Sequence, residues 1–361
     1  MLLILLMCAG VYLAFILFII SGLFKHSILP ISSSNELPSI SVVIAARNEE
    51  KHLPDLIQDL MNQEYPLDKL EAIIVDDRST DLTPVILKEA SDNYAFIKTI
   101  RIKERSQEMT QKKYAMTKGI EAAKGEVIVS TDADCRVGKL WVSSMAYSVI
   151  NHDCISIGFS KIAGDTFFEQ YQEVDFLGII TANAGAGGWN QFWSGTGQNL
   201  AYYKNDFIAI DGFKPVKNKI SGDDMYLVQS ISKLKRGFIH IDPNSFTTTT
   251  GMNSVKEFLN QRIRWSSNSK ANAGQNPLFF GFLITAFLYN SFILLSMISG
   301  SPWLVSFGIK FILDGLVILL GCKLFETKPS PFAYCIWAMI QPLYIPAMGI
   351  LGLQEKFTWK T

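Results

Sequence analysis

The chain has 361 residues, with 33 Lys+Arg against 33 Asp+Glu and a formal net charge of zero. That balance provides no global field for nucleic acid or for steering acidic ligands, so no nucleic-acid partner is expected. Charged residues are 18% of the chain and hydrophobic residues 48%; the charged share is below the usual quarter or so, and the shortfall sits at the two ends, which points to membrane.

Residues 1–24, MLLILLMCAGVYLAFILFIISGLF, carry no charge. As a helix they reach about 35 Å, enough to cross the hydrocarbon core. A cleaved signal peptide has a basic start and a shorter apolar run, so a retained anchor is expected. A polar linker follows, HSILPISSSNELPS at 26–39.

Strand and helix patterns then alternate. ISVVIAA (40–46) reads as a strand and EEKHLPDLIQDLMN (49–62) as a helix; LEAIIVDD (70–77) is the next strand, before a helix beginning near Thr80. FIKTIRI (96–102), KKYAMTKGIEAA (112–123) and EVIVSTD (126–132) continue as strand, helix, strand. β-Branched runs alternating with helical patterns predict an α/β domain with a mainly parallel sheet covered by helices. A helix over FFEQYQEVDFLGII (167–180) is open to two readings, core packing or contact with the membrane surface. VKEFLNQRIRWSSNSK (255–270) places Phe258, Leu259, Arg262 and Trp265 at helical spacing, as an interfacial helix would.

Three apolar runs close the chain, at 277–299, 302–321 and 332–353. The second holds Lys310 and Asp314 four residues apart, on one helical face, where a self-neutralising pair is expected. The third contains Gln341, Pro342 and Pro346, which predicts a kink or a partly interfacial placement. Lys25 and His26 follow the first run; Arg262, Arg264 and Lys270 precede the second; Lys323 and Lys328 separate the last two. The positive-inside rule then places the middle segment in the cytoplasm, with the tail, Lys356 and Lys360, outside if all four runs span.

In sheets of this kind, ligands collect at the carboxyl ends of the strands. Three ends are polar here: Arg47-Asn48-Glu49, Asp76-Asp77-Arg78 and Asp132-Ala133-Asp134. A buried strand ending in two carboxylates is either a solvated turn or a cation site, and three such ends on one edge favour a nucleotide and metal site. No phosphate-cradling Gly-rich loop follows the first strand; NAGAGG (183–188) and SGTG (194–197) read as ordinary loops. A bound diphosphate would then need a divalent ion, and oxygen ligands suit Mg²⁺ or Mn²⁺. His26, His52, His152 and His240 are scattered singly and read as surface or core residues, His240 being the least secure of these. The five cysteines (8, 135, 154, 322, 335) form no CxxC and suggest neither disulfides nor zinc.

Six ordered motifs across 39–270 resemble the membrane-bound family 2 glycosyltransferases of GT-A fold: VDDRSTD (75–81), KKYAMTKGI (112–120), TDAD (131–134), GTGQNLAYYKNDFIAIDGF (195–213), SGDDMYL (221–227) and QRIRW (261–265). The resemblance implies that Asp76 or Asp77 contacts the uracil or ribose of a UDP-sugar donor, with Ala45, Asn48, Glu49 and Lys112 also on the nucleotide. Asp132 is implied near the ribose and donor sugar, Asp134 with Asp132 at the metal, and Asp224 as catalytic base. Gln261 and Arg264 are implied to brace the diphosphate and Trp265 to stack under the acceptor. Asp223 stands where the family more often has Glu, so either of Asp223 and Asp224 could be the base, with Asp224 favoured.

The resulting expectation is a metal-dependent, inverting transferase acting on a membrane lipid or lipid-linked glycan. It would be a multi-pass protein of the bacterial inner membrane with a cytoplasmic catalytic domain. The expected divisions are an anchor (1–24), linker (25–38), GT-A domain (39–251), interfacial helix (252–275), membrane region (276–354) and tail (355–361). A processive polysaccharide synthase is the alternative within the family, and a sugar nucleotidyltransferase or an inactive membrane scaffold are the alternatives outside it.

Overall fold

The computed structural model describes residues 2–27, 37–300 and 303–354. Most of the linker and the tail with Lys356 and Lys360 lie outside the described residues. The chain divides into two compact units: His26–Lys161 with Ser194–Thr250, and Met1–Lys25 with Ile162–Trp193 and Gly251–Thr361.

In chain order the elements are α1 (Leu2–Leu23), β1 (Ile40–Ala46), α2 (Leu53–Met61), β2 (Leu70–Asp77), α3 (Thr83–Asn93), β3 (Ile97–Ile102), α4 (Gln111–Ala122) and β4 (Val127–Ser130). Next come β5 (Arg136–Val137), α5 (Trp141–His152), β6 (Ile155–Ile157), β7 (Ser160–Ala163), α6 (Phe167–Gly187), β8 (Leu200–Tyr203), α7 (Lys204–Ala209), α8 (Asp223–Leu234), β9 (Gly237–Ile239) and β10 (Thr247–Thr250). The remaining helices are α9 (Val255–Ser266), α10 (Ser269–Gln275), α11 (Pro277–Ile298), α12 (Leu304–Leu324) and α13 (Pro331–Leu353).

The first unit is built on a seven-stranded sheet of order β3-β2-β1-β4-β8-β6-β9. The strands β1 to β4 are mutually parallel, β8 runs antiparallel to both β4 and β6, and β9 is parallel to β6. Ile40, Val42 and Ile44 of β1 pack with Ala72 and Ile74 of β2 and with Leu53, Leu56 and Leu60 of α2 in one core. Strands buried on both faces read as continuous apolar runs, which is why β1 and β2 were legible. α3 starts at Thr83 rather than near Thr80, because Asp81 Oδ1 accepts the Thr83 amide at 3.0 Å and holds the preceding residues as a turn.

α4 lies on β1 and β2. The contact is tight at Gly119, where a Cβ would sit 2.5 Å from Val43 Cγ1.

The second unit is helical. α1, α11, α12 and α13 are long and apolar enough to cross a membrane. α13 runs without a break through Pro342 and Pro346. α6 is largely buried and packs against α1, α12 and α13, which favours the core reading of 167–180. NAGAGG is not a loop: it forms the last turns of α6. Its glycines permit backbone contact with α1, since a Cβ on Gly185 would lie 2.5 Å from Ile19 O and one on Gly188 2.1 Å from Gly22 O. Small residues at crossing points serve apolar helices in this way. Lys310 donates to Asp314 Oδ2 while Tyr12 Oη donates to the other carboxylate oxygen at 2.6 Å, all three buried.

Gly119→Ala is expected to destabilise the first unit by about 1–3 kcal/mol through overpacking against Val43, less about 1 kcal/mol of helix propensity gained. Thermal unfolding of the detergent-solubilised protein measures the net loss, and an unchanged or raised Tm would refute the packing argument.

Candidate functional site

The parallel register sets the site. Ala46 is opposite Asp76, Asp76 opposite Arg101, and Val43 opposite Ser130. The ends of β1, β2, β3 and β4 therefore open on one edge, with Ala45 the penultimate residue of β1.

The β1 end is latched to the β2 end. Asn48 sits in the left-handed region at φ 54° and Arg78 at φ 59°. Strained backbone of this kind costs on the order of 1–3 kcal/mol and persists only where the surroundings fix it. Here the Asn48 amide donates to Ser79 Oγ at 2.9 Å and its side-chain oxygen accepts the Thr80 amide at 2.8 Å. The Glu49 amide donates to Thr83 Oγ1 at 2.8 Å, and the Glu49 carboxylate meets His52 Nδ1 at 2.8 Å.

Asp76 is 2% exposed. Its Oδ1 accepts the Ser79 amide at 2.9 Å and its Oδ2 faces Arg101 Nε at 3.4 Å. Asp77 binds Arg78 through two bonds of 2.8 and 3.2 Å, with Arg47 Nη1 at 3.9 Å. Arg78, Arg101 and Lys103 line a cleft of about 320 Å³ beside these carboxylates.

At the end of β4, Asp132 Oδ1 accepts a 2.5 Å bond from Lys112 Nζ in the first turn of α4. Burial opposes the Lys112 charge, but Asp132, Asp223 and Asp224 outweigh it and raise its pKa above the ordinary lysine value. Asp223 and Asp224 open α8 after Gly222, whose φ of 84° makes the turn. Gly197 lies among these groups: its amide donates to Asp224 Oδ2 at 3.4 Å, and a Cβ there would be 3.5 Å from Lys112 Nζ. Lys112, Asp132 and Asp224 thus converge on the SGTG loop. The neighbouring Lys113 is buried, donates to Lys219 O at 2.6 Å and stands 4.0 Å from Asp223 Oδ1. Burial lowers its pKa, against the pull of Asp223 and Asp224.

Asp134 is half-buried, two residues beyond Asp132. Among the described residues no group of three or more His, Cys, Asp or Glu is arranged to hold a metal ion by itself. Two carboxylates are nevertheless the donor set that Mg²⁺ or Mn²⁺ takes when phosphate oxygens complete its coordination.

Gln261, Arg264 and Trp265 lie in the helical unit, on α9, whose N-cap Ser254 accepts the Glu257 amide at 3.3 Å. Trp265 rests against Phe176 with ring centres 6.0 Å apart.

Sequence reasoning missed three groups. Lys113 was hidden behind Lys112, and Gly197, within both SGTG and the 195–213 motif, was given no place beside Asp224. Asn199 is wholly buried with every side-chain group used: it accepts from Trp141 Nε1 at 3.0 Å and donates to Phe159 O and Ser245 O at 2.8 and 2.7 Å. His240 is a satisfied core residue, with Nε2 at 2.9 Å from Ser144 Oγ. The hydroxyl of Ser144 in turn donates to Asp242 Oδ2 at 2.9 Å, so the serine, not the imidazole, meets the carboxylate.

The overall topology is that of the GT-A glycosyltransferases: the chain is similar to a mannosyltransferase from Pyrobaculum calidifontis in complex with GDP-Man and Mn²⁺, with TM-score 0.64 over 98% of this chain and 99% of that one, at 18% identity. In sequence, residues 41–223, just over half of the chain, match Glycosyl transferase family 2. The chain belongs to that family. It is 27% identical over 274 residues, 72% of its length, to a probable glycosyltransferase, YdaM, of Bacillus subtilis (strain 168). It is 40% identical over 102 residues, 28% of its length, to a beta-monoglucosyldiacylglycerol synthase of Nostoc sp. (strain PCC 7120). These matches span 64% and 21% of the relatives' own lengths.

The His240 site carries a pH prediction. Burial lowers its pKa, against the Ser144 carbonyl and Asp242, so the unfolded chain takes up a proton more readily than the folded one. The stabilisation is present above about pH 6.5 and is lost as pH falls through the folded pKa. The wild-type Tm is expected to fall more steeply between about pH 7 and 5 than that of His240→Gln; parallel curves would refute this.

Proposed function

We propose that the protein is an inverting glycosyltransferase that moves a sugar from a UDP-sugar to a lipid or lipid-linked glycan at a membrane. The observation that carries the reading is the convergence of Lys112, Asp132 and Asp224 beside Gly197. It combines a cation for a diphosphate with a carboxylate able to take a proton.

In the proposed reaction an acceptor hydroxyl attacks C1 of the donor sugar on its far face. The new bond is oxygen to C1, the bond broken is C1 to the phosphate oxygen, and the hydroxyl proton passes to Asp224. UDP departs with the added negative charge, which Lys112 neutralises where it develops, and the Q-x-x-R-W resemblance assigns Gln261 and Arg264 to the diphosphate. Arg264 suits this role through its forked donors. Asp134 and Asp132 would hold Mg²⁺ or Mn²⁺, which would supply Lewis-acid stabilisation of the diphosphate. Asp76 and Asp77 serve the base and ribose, with Ala45, Asn48 and Glu49 shaping the β1 side, and Trp265 serves the acceptor. Asp224 is preferred to Asp223 as base because Asp223 faces the buried Lys113 ammonium. The lipid acceptor is supported by the four apolar helices and by the diacylglycerol product in the Nostoc relative's name.

The test is UDP release by protein in nanodiscs with host lipid extract, supplied in turn with UDP-glucose, UDP-galactose or UDP-N-acetylglucosamine, and with GDP-mannose as contrast. We expect Mn²⁺-dependent release that forms a glycolipid and falls about 10²–10⁴-fold in Asp224→Asn, and comparably in Asp134→Ala. Full activity in both variants would overturn the assignment.

A further inference from the structure

Lys113 follows Lys112 in the chain and is 1% exposed, yet its partners lie elsewhere. Its Nζ donates to Lys219 O at 2.6 Å, reaches Thr110 Oγ1 at 3.5 Å and stands 4.0 Å from Asp223 Oδ1. Thr110 occupies the N-cap of α4, where a threonine hydroxyl ordinarily accepts from an amide of the first turn. Here it makes no such bond: the hydroxyl donates to Lys219 O at 3.2 Å, and the Thr110 amide donates to Lys217 O at 3.1 Å. Three bonds therefore tie the 217–219 segment to the start of α4. Only Ile220, Ser221 and Gly222 separate that segment from Asp223 and Asp224, and all of these residues belong to the sheet unit.

A buried ammonium is costly, and an apolar side chain of similar length would fill the same space without that cost. What the ammonium adds is direction, since a carbonyl bonded to it is held in one register. We propose that Lys113 is a positioning residue for the proposed reaction. With Thr110 it anchors the 217–219 segment on α4, and so fixes the entry to α8 that sets Asp224 beside Gly197 and Lys112, while Asp223 supplies the lysine's counter-charge. This rests on the reading above, in which Asp224 takes the acceptor's proton. Lys113 itself touches no substrate in this role. Lys112 keeps Asp132 and Asp224 as neighbours when Asp223 is replaced.

The full-length protein in nanodiscs, with Mn²⁺ and whichever of the three UDP-sugars the wild type turns over, tests this by kcat and KM for UDP release and by hydrogen exchange over 217–226. Lys113→Met removes the ammonium, and the Asp223 side chain, 18% exposed, is then free to be hydrated. We expect this variant to stay folded, with donor KM within about twofold of wild type, kcat lower by about ten- to 10²-fold and faster exchange over 217–226. Asp223→Asn is expected to lower kcat in the wild-type background. In Lys113→Met it should add no more than about a twofold loss, because the lysine it balances is gone. Asp224→Asn separates the two claims. Wild-type kcat in Asp224→Asn would end the reading of Asp224 as base, and the positioning role with it. If Asp224→Asn is inactive while Lys113→Met keeps the wild-type kcat, the positioning role alone is overturned. It is overturned equally if the Lys113→Met loss follows its unfolded fraction, or if Asp223→Asn costs as much without Lys113 as with it.

Discussion

The site depends on Lys112 meeting Asp132. β4 is buried along its length, but the Asp132 side chain beyond it is 28% exposed, and the 2.5 Å bond from Lys112 balances its charge at that edge. The cation is itself in an unfavourable place, in the first turn of a helix whose dipole repels it and with no acidic residue there to compensate. It holds its proton because Asp132, Asp223 and Asp224 surround it. Moving α4 would undo that arrangement, and α4 is held close to β1 and β2 by the absence of a side chain at Gly119. Packing on the sheet and charge at the site are thus one constraint: the glycine sets the depth of the helix, and the depth sets the reach of the lysine.

Much of this was legible from residues alone, and the reasons differ by element. The β1, β2 and β4 runs are β-branched and apolar on both faces, so burial could be inferred, and parallel pairing then forced their acidic ends onto one edge. The spacing of Lys310 and Asp314 on one helical face foretold their pairing, but Tyr12, far earlier in the chain, could not be foreseen as the second donor. NAGAGG misled because glycine-rich composition is the same for a loop as for a close helix crossing. Only the facing Ile19 and Gly22 backbones of α1 distinguish them. Lys113 was equally opaque: adjacent helical residues point in different directions, and which of two lysines faces Asp132 and which faces Asp223 is settled by packing.

In the helical unit, polar side chains are few and their pairing does much of the specifying. Apolar surfaces slide past one another at little cost, whereas a buried hydrogen bond is satisfied in only one register. Tyr12 with Asp314 joins α1 to α12, and Asp175 with Arg262 and Trp337 joins α6 to α9 and α13. The glycines of α6 then allow α1 to come near enough for backbone contact. A unit assembled this way holds α9 by directional bonds rather than by greasy contact alone.

The two aspartates that open α8 show how one short motif can divide labour. Both sit at the positive end of the helix, so position along the chain does not separate them. Their neighbours do. Asp223 stands 4.0 Å from an ammonium that is almost wholly buried and tied to Lys219 O. Asp224 accepts the Met225 amide at 2.7 Å through Oδ1 and the Gly197 amide at 3.4 Å through Oδ2. A carboxylate that balances a buried lysine gains nothing by accepting a proton, because doing so would leave that lysine without its counter-charge. Asp224 pulls on the same ammonium less strongly than Asp223 does, which is why the proposed reaction gives it the role of base.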